Sequence, residues 1–280
     1  MQNKRFVIAS VVIVILLSVL VAGCTTTSPT VSPTAAPTAI PQKTTLTVFA
    51  AASLSDAFNE TAAAFEANHT GVDVVLQFAG TQQLRTQVEQ GAYADVFASA
   101  SIPHLTALQD EGYVDNATAK NFTKNKLAII VPKNNPANIA SLSDLSKPGV
   151  KLVICAASVP CGSYTLQLLN KTANNSSYGA DFKTKVMANV VSQETDVNSA
   201  VSKVALGEAD AAFVYKSDVP KAMQDKVTTI LIPDSINVLA TYPIAVLKQS
   251  KDPQDAQAFE DFVLSSDGKA ILTKYGFITT

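Results

Sequence analysis

The sequence predicts an α/β protein, because two patterns alternate from about residue 44 to the C-terminus. Short runs rich in β-branched and aromatic residues alternate with longer runs whose apolar residues recur at helical spacing. The first pair is a strand over Thr45–Ala50 and a helix over Ser53–His69. Such alternation is typical of α/β architecture with mostly parallel sheets. No period of 20–50 residues recurs, so a repeat protein is not indicated.

The later elements follow the same order, and glycines such as Gly91 and Gly112 mark helix ends. Further strands are predicted over Val72–Phe78, Asp95–Ala98, Leu127–Val131, Lys151–Cys155, Val190–Ser192, Ala211–Val214, Thr228–Ile232 and Thr241–Leu247. Further helices are predicted over Gln82–Gln90, Pro103–Glu111, Ser163–Asn170, Asp181–Met187, Asp196–Leu206 and, as more than one helix, Pro253–Tyr275.

The N-terminal segment has the pattern of an export signal. Lys4 and Arg5 precede an apolar run over Phe6–Ala22. The residues Val21-Ala22-Gly23-Cys24 resemble a lipobox, which implies a signal peptide over residues 1–23 and an acylated Cys24 as the first mature residue. An uncleaved signal anchor is the alternative. Either way, the bulk of the chain is expected outside the membrane.

Residues 24–43 consist largely of Thr, Ser, Pro and Ala, a composition that cannot bury a core. They are predicted to form a solvated tether. Residues 44–280 then remain, which is enough for one large or two medium domains.

Composition and missing motifs argue against several classes of protein. With 21 Lys+Arg against 23 Asp+Glu, the chain lacks the basic surplus of a nucleic-acid binder. His69 and His104 lie far apart, without a second ligand at metal spacing, so no direct cation site is predicted. The sequence contains no G-x-S-x-G, GxxxxGK[ST], GxGxxG, HExxH or EF-hand pattern. We therefore predict neither an enzyme nor a cofactor.

Hydroxyl residues follow several predicted strands. Ser53, Thr81, Ser163 and Tyr215 all lie at or near strand ends. In open α/β sheets, ligands bind outside the carboxyl ends of strands, where the free N–H groups of helix N-termini point outward. Each of the Ser and Thr residues alone is also explained as a helix N-cap without any ligand. Together they indicate a cradle of hydrogen-bond donors for an anion.

Over residues 45–277, the chain resembles the family of periplasmic molybdate-binding proteins (ModA) in the order and spacing of eight blocks. These blocks are Thr47–Leu54, Val72–Ala79, Gln87–Ala100, Val159–Gly162, Glu194–Val197, Ala212–Asp218, Tyr242–Val246 and Lys274–Phe277. The resemblance implies a type II periplasmic-binding-protein fold, with two α/β lobes joined by a two-stranded hinge. Lobe one would comprise residues 44–126 and 235–280, and lobe two residues 127–234.

The resemblance also implies a function and a ligand site. The protein would capture molybdate, tungstate or both between its lobes. It would deliver the anion, as a lipid-anchored monomer on the outer face of the cell membrane, to the permease and ATP-binding subunits of an ABC importer. The implied donors are the hydroxyl and backbone N–H of Ser53 and the hydroxyl of Thr81. From lobe two, they are the backbone N–H groups of Cys161 and Val197 and the phenolic hydroxyl of Tyr215. Thr81 departs from the serine of the family but keeps the hydroxyl.

Two alternatives for the function stay open. One is a receptor of the same fold for sulfate, phosphate or an organic acid. Sulfate also satisfies the donor pattern, so a molybdate receptor would have to reject it by size. An extracytoplasmic enzyme or adhesion protein on an α/β domain is the other alternative.

Cys155 and Cys161 remain once Cys24 is assigned to the lipid. In an exported protein, such a pair is a candidate disulfide, here one that would rigidify the anion-binding loop. Two reduced small core residues are the alternative.

Overall fold

The structure is a computed structural model, and it describes residues 43–219 and 223–279. Its strands are β1 (Thr44–Ala51), β2 (Val72–Ala79), β3 (Val96–Ala98), β4 (Lys120–Pro132), β5 (Leu152–Cys155), β6 (Val190–Glu194), β7 (Ala211–Tyr215), β8 (Val227–Leu231) and β9 (Leu239–Val246). Its α-helices are α1 (Ser55–Asn68), α2 (Thr81–Glu89), α3 (Ile102–Asp110), α4 (Pro160–Thr172), α5 (Phe182–Ala188), α6 (Val197–Ala205), α7 (Pro253–Leu264) and α8 (Ser266–Lys274). The predicted signal peptide, Cys24 and nearly all of the predicted tether lie outside the described residues.

The strands form one mixed sheet in the order β2-β1-β3-β9-β4-β7-β5-β6, with β8 also paired to β4. β1 runs parallel to β2 and β3, and β5 runs parallel to β6 and β7. The pairs made by β4 and β9 are antiparallel. The prediction of mostly parallel sheets is therefore only half right, because two long strands cross the middle of the sheet.

β4 changes partners partway along its length. Its residues Lys120–Lys126 pair with β9, whereas Leu127–Pro132 pair with β7 and β8. We call the strands on the β9 side, with the helices that follow them, the first half, and those on the β7 side the second half. At the switch, the Asn237 side chain accepts a hydrogen bond from Leu127 N at 3.1 Å and donates one to Leu127 O at 2.8 Å. The side chain thus satisfies backbone groups where strand pairing is interrupted.

The sequence prediction missed the first seven residues of β4. Lys120–Lys126 reads Lys-Asn-Phe-Thr-Lys-Asn-Lys, which lacks the apolar run that marks a buried strand. In the structure, Phe122, Thr123 and Asn125 are nevertheless buried. Their polar atoms find partners across the sheet, for example from Thr123 Oγ1 to Ile278 O at 3.1 Å. Pairing with β9, rather than apolar composition, makes this segment a strand.

The core consists largely of short strands buried on both faces. All residues of β5 (Leu-Val-Ile-Cys) and β7 (Ala-Ala-Phe-Val-Tyr) are buried, as expected for continuous apolar runs in a parallel arrangement covered by helices. Helix α1 packs Phe58 and Phe65 against Phe259 of α7, with ring centroids 6.1 and 5.3 Å apart. Within the described part of the chain, none of the helices has the length and apolarity needed to cross a membrane.

Candidate functional site

A small cavity lies where the two halves meet. Its volume is about 20 Å³. The lining residues come from strand ends and helix starts on both sides: Ala51, Ala52, Ser53, Gly80, Thr81, Ala100, Val159, Pro160, Cys161, Asp196, Val197 and Tyr215. The structure therefore brings together all five residues that the resemblance implied, although they span more than 160 positions of the sequence.

Three helices begin at this cavity. Thr81 and Val197 are the first residues of α2 and α6, and Cys161 is the second residue of α4. The first N–H groups of a helix have no partner within the helix, and its N-terminus carries partial positive charge. Because Pro160 has no N–H, the first free donor of α4 is the N–H of Cys161. The arrangement suits an anion.

Tyr215 contributes a buried hydroxyl. The residue is 1% exposed, and its hydroxyl has no hydrogen-bond partner among the described residues. Burial raises the pKa of this phenol well above its usual value, so the group keeps its proton. Its backbone N–H donates to Asp218 Oδ2 at 2.6 Å, which fixes the end of β7. A buried donor without a partner costs free energy, and a ligand oxygen would remove that cost.

The hydroxyls of Thr81 and Ser53 each contact another polar group of the protein. Thr81 Oγ1 accepts a hydrogen bond from Ala100 N at 3.2 Å, so its own proton is free to donate elsewhere. Ser53 Oγ lies 3.0 Å from the hydroxyl of Tyr242. Ser53 belongs to a 3₁₀ turn over Ala52–Leu54 that precedes α1, so the helix predicted from residue 53 begins two residues later.

Asp196 brings a carboxylate to the lining of the cavity, and the sequence did not single this residue out. It accepts hydrogen bonds from Ser199 N at 2.9 Å and Ser199 Oγ at 2.8 Å. Asp196 therefore caps its own helix, α6, and each of its oxygens already accepts one hydrogen bond there.

Side chains also connect the halves around the cavity. Gln82 Nε2 donates to Thr195 O at 2.7 Å, and Asn198 Nδ2 donates to Ala52 O at 3.1 Å. His104 Nε2 lies 3.2 Å from Ser158 O, which requires a proton on Nε2. Burial lowers the pKa of His104, in keeping with a neutral ring. These bridging residues were missed because the sequence of a polar helix does not show which residues it contacts across a cleft.

The two cysteines are free buried thiols, so the candidate disulfide is not formed in this structure. Cys161 Sγ lies 3.4 Å from Phe213 O, an acceptor in β7. Its hydrogen bond with the Cys155 thiol, together with burial, raises the pKa of Cys161 well above its usual value. The two residues thus behave as small core side chains, which was the alternative left open by the sequence.

The family is established by sequence comparison. The model of the family described as bacterial extracellular solute-binding protein matches residues 46–278. The chain belongs to this family. It is 38% identical over 232 residues to the molybdate-binding protein ModA of Mycobacterium tuberculosis (strain ATCC 25618 / H37Rv), a match that covers 83% of this chain and 84% of the relative.

Solved structures place this solute-binding protein in a fold class. The sulfate-binding protein SubI from Mycobacterium tuberculosis H37Rv has a TM-score of 0.75 at 20% identity, covering 84% of this chain and 86% of that one. The periplasmic molybdate-binding protein of Azotobacter vinelandii has a TM-score of 0.71 at 19% identity, covering 84% and 99%. The predicted type II periplasmic-binding-protein fold is confirmed.

The dimensions of the cavity restrict what this solute-binding protein can hold there. Pockets for drug-sized molecules occupy roughly 300–1,000 Å³. A cavity of about 20 Å³ is far smaller, so in this conformation it has no space for an amino acid or a sugar. Its hydroxyls and helix N-termini favour an anion whose oxygens accept hydrogen bonds.

Proposed function

We propose that this protein is an extracytoplasmic receptor that captures molybdate, tungstate or both and delivers the anion to an ABC importer. The observation that carries the proposal is the Tyr215 hydroxyl, a buried donor without a partner among the described residues, at a cavity lined by other donors. The similarity to the molybdate-binding protein of Mycobacterium tuberculosis supports the choice of ligand.

The chemistry of the lining supports a fully deprotonated oxyanion. Ser53, Thr81 and Tyr215 offer hydroxyls, and the first turns of α2, α4 and α6 offer N–H groups. Both oxygens of Asp196 already accept a hydrogen bond from Ser199, which holds this carboxylate at the start of its own helix. Because most of the polar groups at the lining are donors, a protonated anion such as hydrogen phosphate, whose own O–H needs an acceptor, is disfavoured.

Capture would proceed by closure of two lobes. The switch of β4 from β9 to β7 between Lys126 and Leu127 supports lobes of residues 44–126 with 235–280 and of residues 127–234. The bridging hydrogen bonds from Gln82 and Asn198 would form only when the lobes close. The closed form would then dock on the permease and its ATP-binding subunits, with Cys24 as a lipid anchor and the protein as a monomer.

Titration calorimetry on the purified protein tests the proposal with molybdate, tungstate, sulfate and hydrogen phosphate at pH 7.5. We expect molybdate or tungstate to bind at least about tenfold more tightly than sulfate, a difference of roughly 1.4 kcal/mol, and hydrogen phosphate to bind weakest. Preferential binding of sulfate would instead establish a sulfate receptor on the same fold. Absence of binding for all four anions would refute an oxyanion receptor.

Removing either cavity hydroxyl is expected to weaken molybdate binding without unfolding the protein. Ser53→Ala and Tyr215→Phe each delete one donor while keeping the shape of the site, and the loss should be about tenfold in each case. Calorimetry measures the affinity, and thermal melting without ligand measures stability. The matched controls are Ser143→Ala, on an exposed turn, and Tyr113→Phe, away from the cavity. Unchanged affinity in both cavity variants would contradict the site.

A further inference from the structure

His104 joins the two halves beside the anion cavity. It lies in the first turn of α3, in the first half, and its Nε2 donates to Ser158 O of the second half at 3.2 Å. Ser158 is followed by Val159, Pro160 and Cys161, which all line the cavity, and the last of them supplies the first free N–H of α4. The hydrogen bond from His104 therefore holds the loop that presents the N-terminus of α4 to the cavity.

The surroundings of the His104 ring favour its neutral form. A carbonyl oxygen can only accept, so Nε2 carries a proton and Nδ1 is the atom that gains or loses one. Nδ1 is buried and has no hydrogen-bond partner among the described residues. A second proton would place a positive charge on a half-buried ring and create a buried donor without an acceptor. Both changes cost free energy while the halves are in contact.

The charged side chains near the ring act in opposite directions. Arg85 of α2 lowers the pKa of His104, and Glu89 of the same helix raises it. Arg85 is itself paired with Glu89 and with Glu111, which follows α3. On the other side of the ring, the loop over residues 156–159 contains no charged residue. Burial is the largest cause, and it lowers the pKa of His104 despite the hydrogen bond to a carbonyl.

We propose that His104 is a positioning residue that holds the two halves together around the anion, and that its neutral ring does so better than the protonated one, so that capture weakens at acidic pH. When the halves separate, the ring would lose Ser158 O and meet water, where a histidine takes up a proton at about pH 6.5. Closure then has to remove that proton. The other two bridging side chains, those of Gln82 and Asn198, are amides and do not titrate. The proposal rests on the proposed function, because it requires the halves to close on an oxyanion.

Titration calorimetry with molybdate at pH 5.5 and pH 7.5 tests the role of His104. We expect the Kd of the wild type to be about threefold to tenfold higher at pH 5.5, with tenfold as the limit set by a pKa of about 6.5 in the open form. His104→Gln retains a donor for Ser158 O but cannot titrate, so its ratio of Kd values between the two pH values should be at least about threefold smaller than that of the wild type. His69→Gln, at the end of α1, replaces the other histidine of the chain and should keep the wild-type ratio.

The release of protons on binding gives an independent readout. At pH 6, anion binding should release a fraction of a proton from the wild type and less from His104→Gln, as measured by calorimetry in two buffers with different heats of ionisation. Should His104→Gln fold poorly, the wild type decides alone: a Kd ratio below about twofold without proton release would overturn the proposal.

Equal Kd ratios in His104→Gln and the wild type would also overturn the proposal. So would tighter binding at pH 5.5, which would mean that the charge of the bound anion stabilises the protonated ring more than burial disfavours it. A wild-type protein that binds none of the oxyanions at either pH would refute the proposed function itself, which separates the two failures.

Discussion

Gly80→Ala is expected to weaken anion binding by about 100-fold while leaving the fold intact. Gly80 precedes α2 at the cavity, with φ −57° and ψ 136°, a conformation that alanine adopts without strain. A Cβ at this position would nevertheless lie 2.3 Å from Thr195 O, a backbone atom of the opposite half. The nearby Gln82 side chain can move away, but the carbonyl can retreat only if the two halves separate.

The expected size follows from the cost of overpacking, roughly 3 kcal/mol for a contact this short, which corresponds to about two decades in Kd. In the proposed mechanism only the closed state contains the conflict, so ligand-free thermal stability should change little. Gly71→Ala is the matched control, because a Cβ there meets no atom within 4 Å and the backbone φ is not positive. Calorimetry with molybdate measures the effect. An affinity within threefold of the wild type would show that closure does not bring Gly80 and Thr195 together.

The contrast between Gly80 and Gly71 illustrates what a sequence conveys and what it does not. Gly71 and Gly80 lie directly before and after β2, and the sequence alone does not distinguish their roles. The alternation of elements did predict β1, β2, β5 and β7 closely, because buried strands and amphipathic helices leave local patterns. The close approach of Gly80 to Thr195 depends on packing between residues more than one hundred positions apart, for which no local pattern exists.

In the candidate site, too, some residues were predictable from the sequence and others were not. The donors at helix starts, Ser53 and Thr81 among them, were predicted because their residue type and their place after a strand are visible locally. Tyr242, whose hydroxyl lies 3.0 Å from Ser53 Oγ, was not predicted, since a tyrosine in a strand has many explanations. Its contact with Ser53 joins residues 189 positions apart, for which the sequence has no local pattern. A residue that contacts a donor from a distant strand is thus harder to predict than the donor itself.

A second large effect concerns stability and its dependence on pH. Glu260 of α7 is 0% exposed, and neither of its carboxyl oxygens meets a hydrogen-bond partner among the described residues. Burial, with a smaller contribution from the negative charges of Asp261 and Asp115, raises its pKa from 4.5 to about 7. Gln257 and Lys120 favour the charged form but do not offset burial. The folded protein therefore favours the protonated, uncharged form of Glu260.

The sign of the effect follows from linkage. Between pH 4.5 and about 7, the folded state holds a proton on Glu260 that the unfolded chain has released, so stability falls as pH rises through this window. The full difference is about 3 kcal/mol, reached above pH 7. Glu260→Gln, which mimics the protonated acid, should therefore match the wild type at pH 4.5 and exceed it by about 3 kcal/mol at pH 8.

Urea unfolding at both pH values measures this difference, and Glu208→Gln, the same change at an exposed position, is the control. Since Glu260 lies outside the cavity lining, the affinity for molybdate should be equal in the variant and the wild type at pH 8. A gain of the same size at both pH values would show that packing, rather than the charge of Glu260, limits stability. No gain at pH 8 would show that the carboxylate finds solvent or a partner in the folded protein.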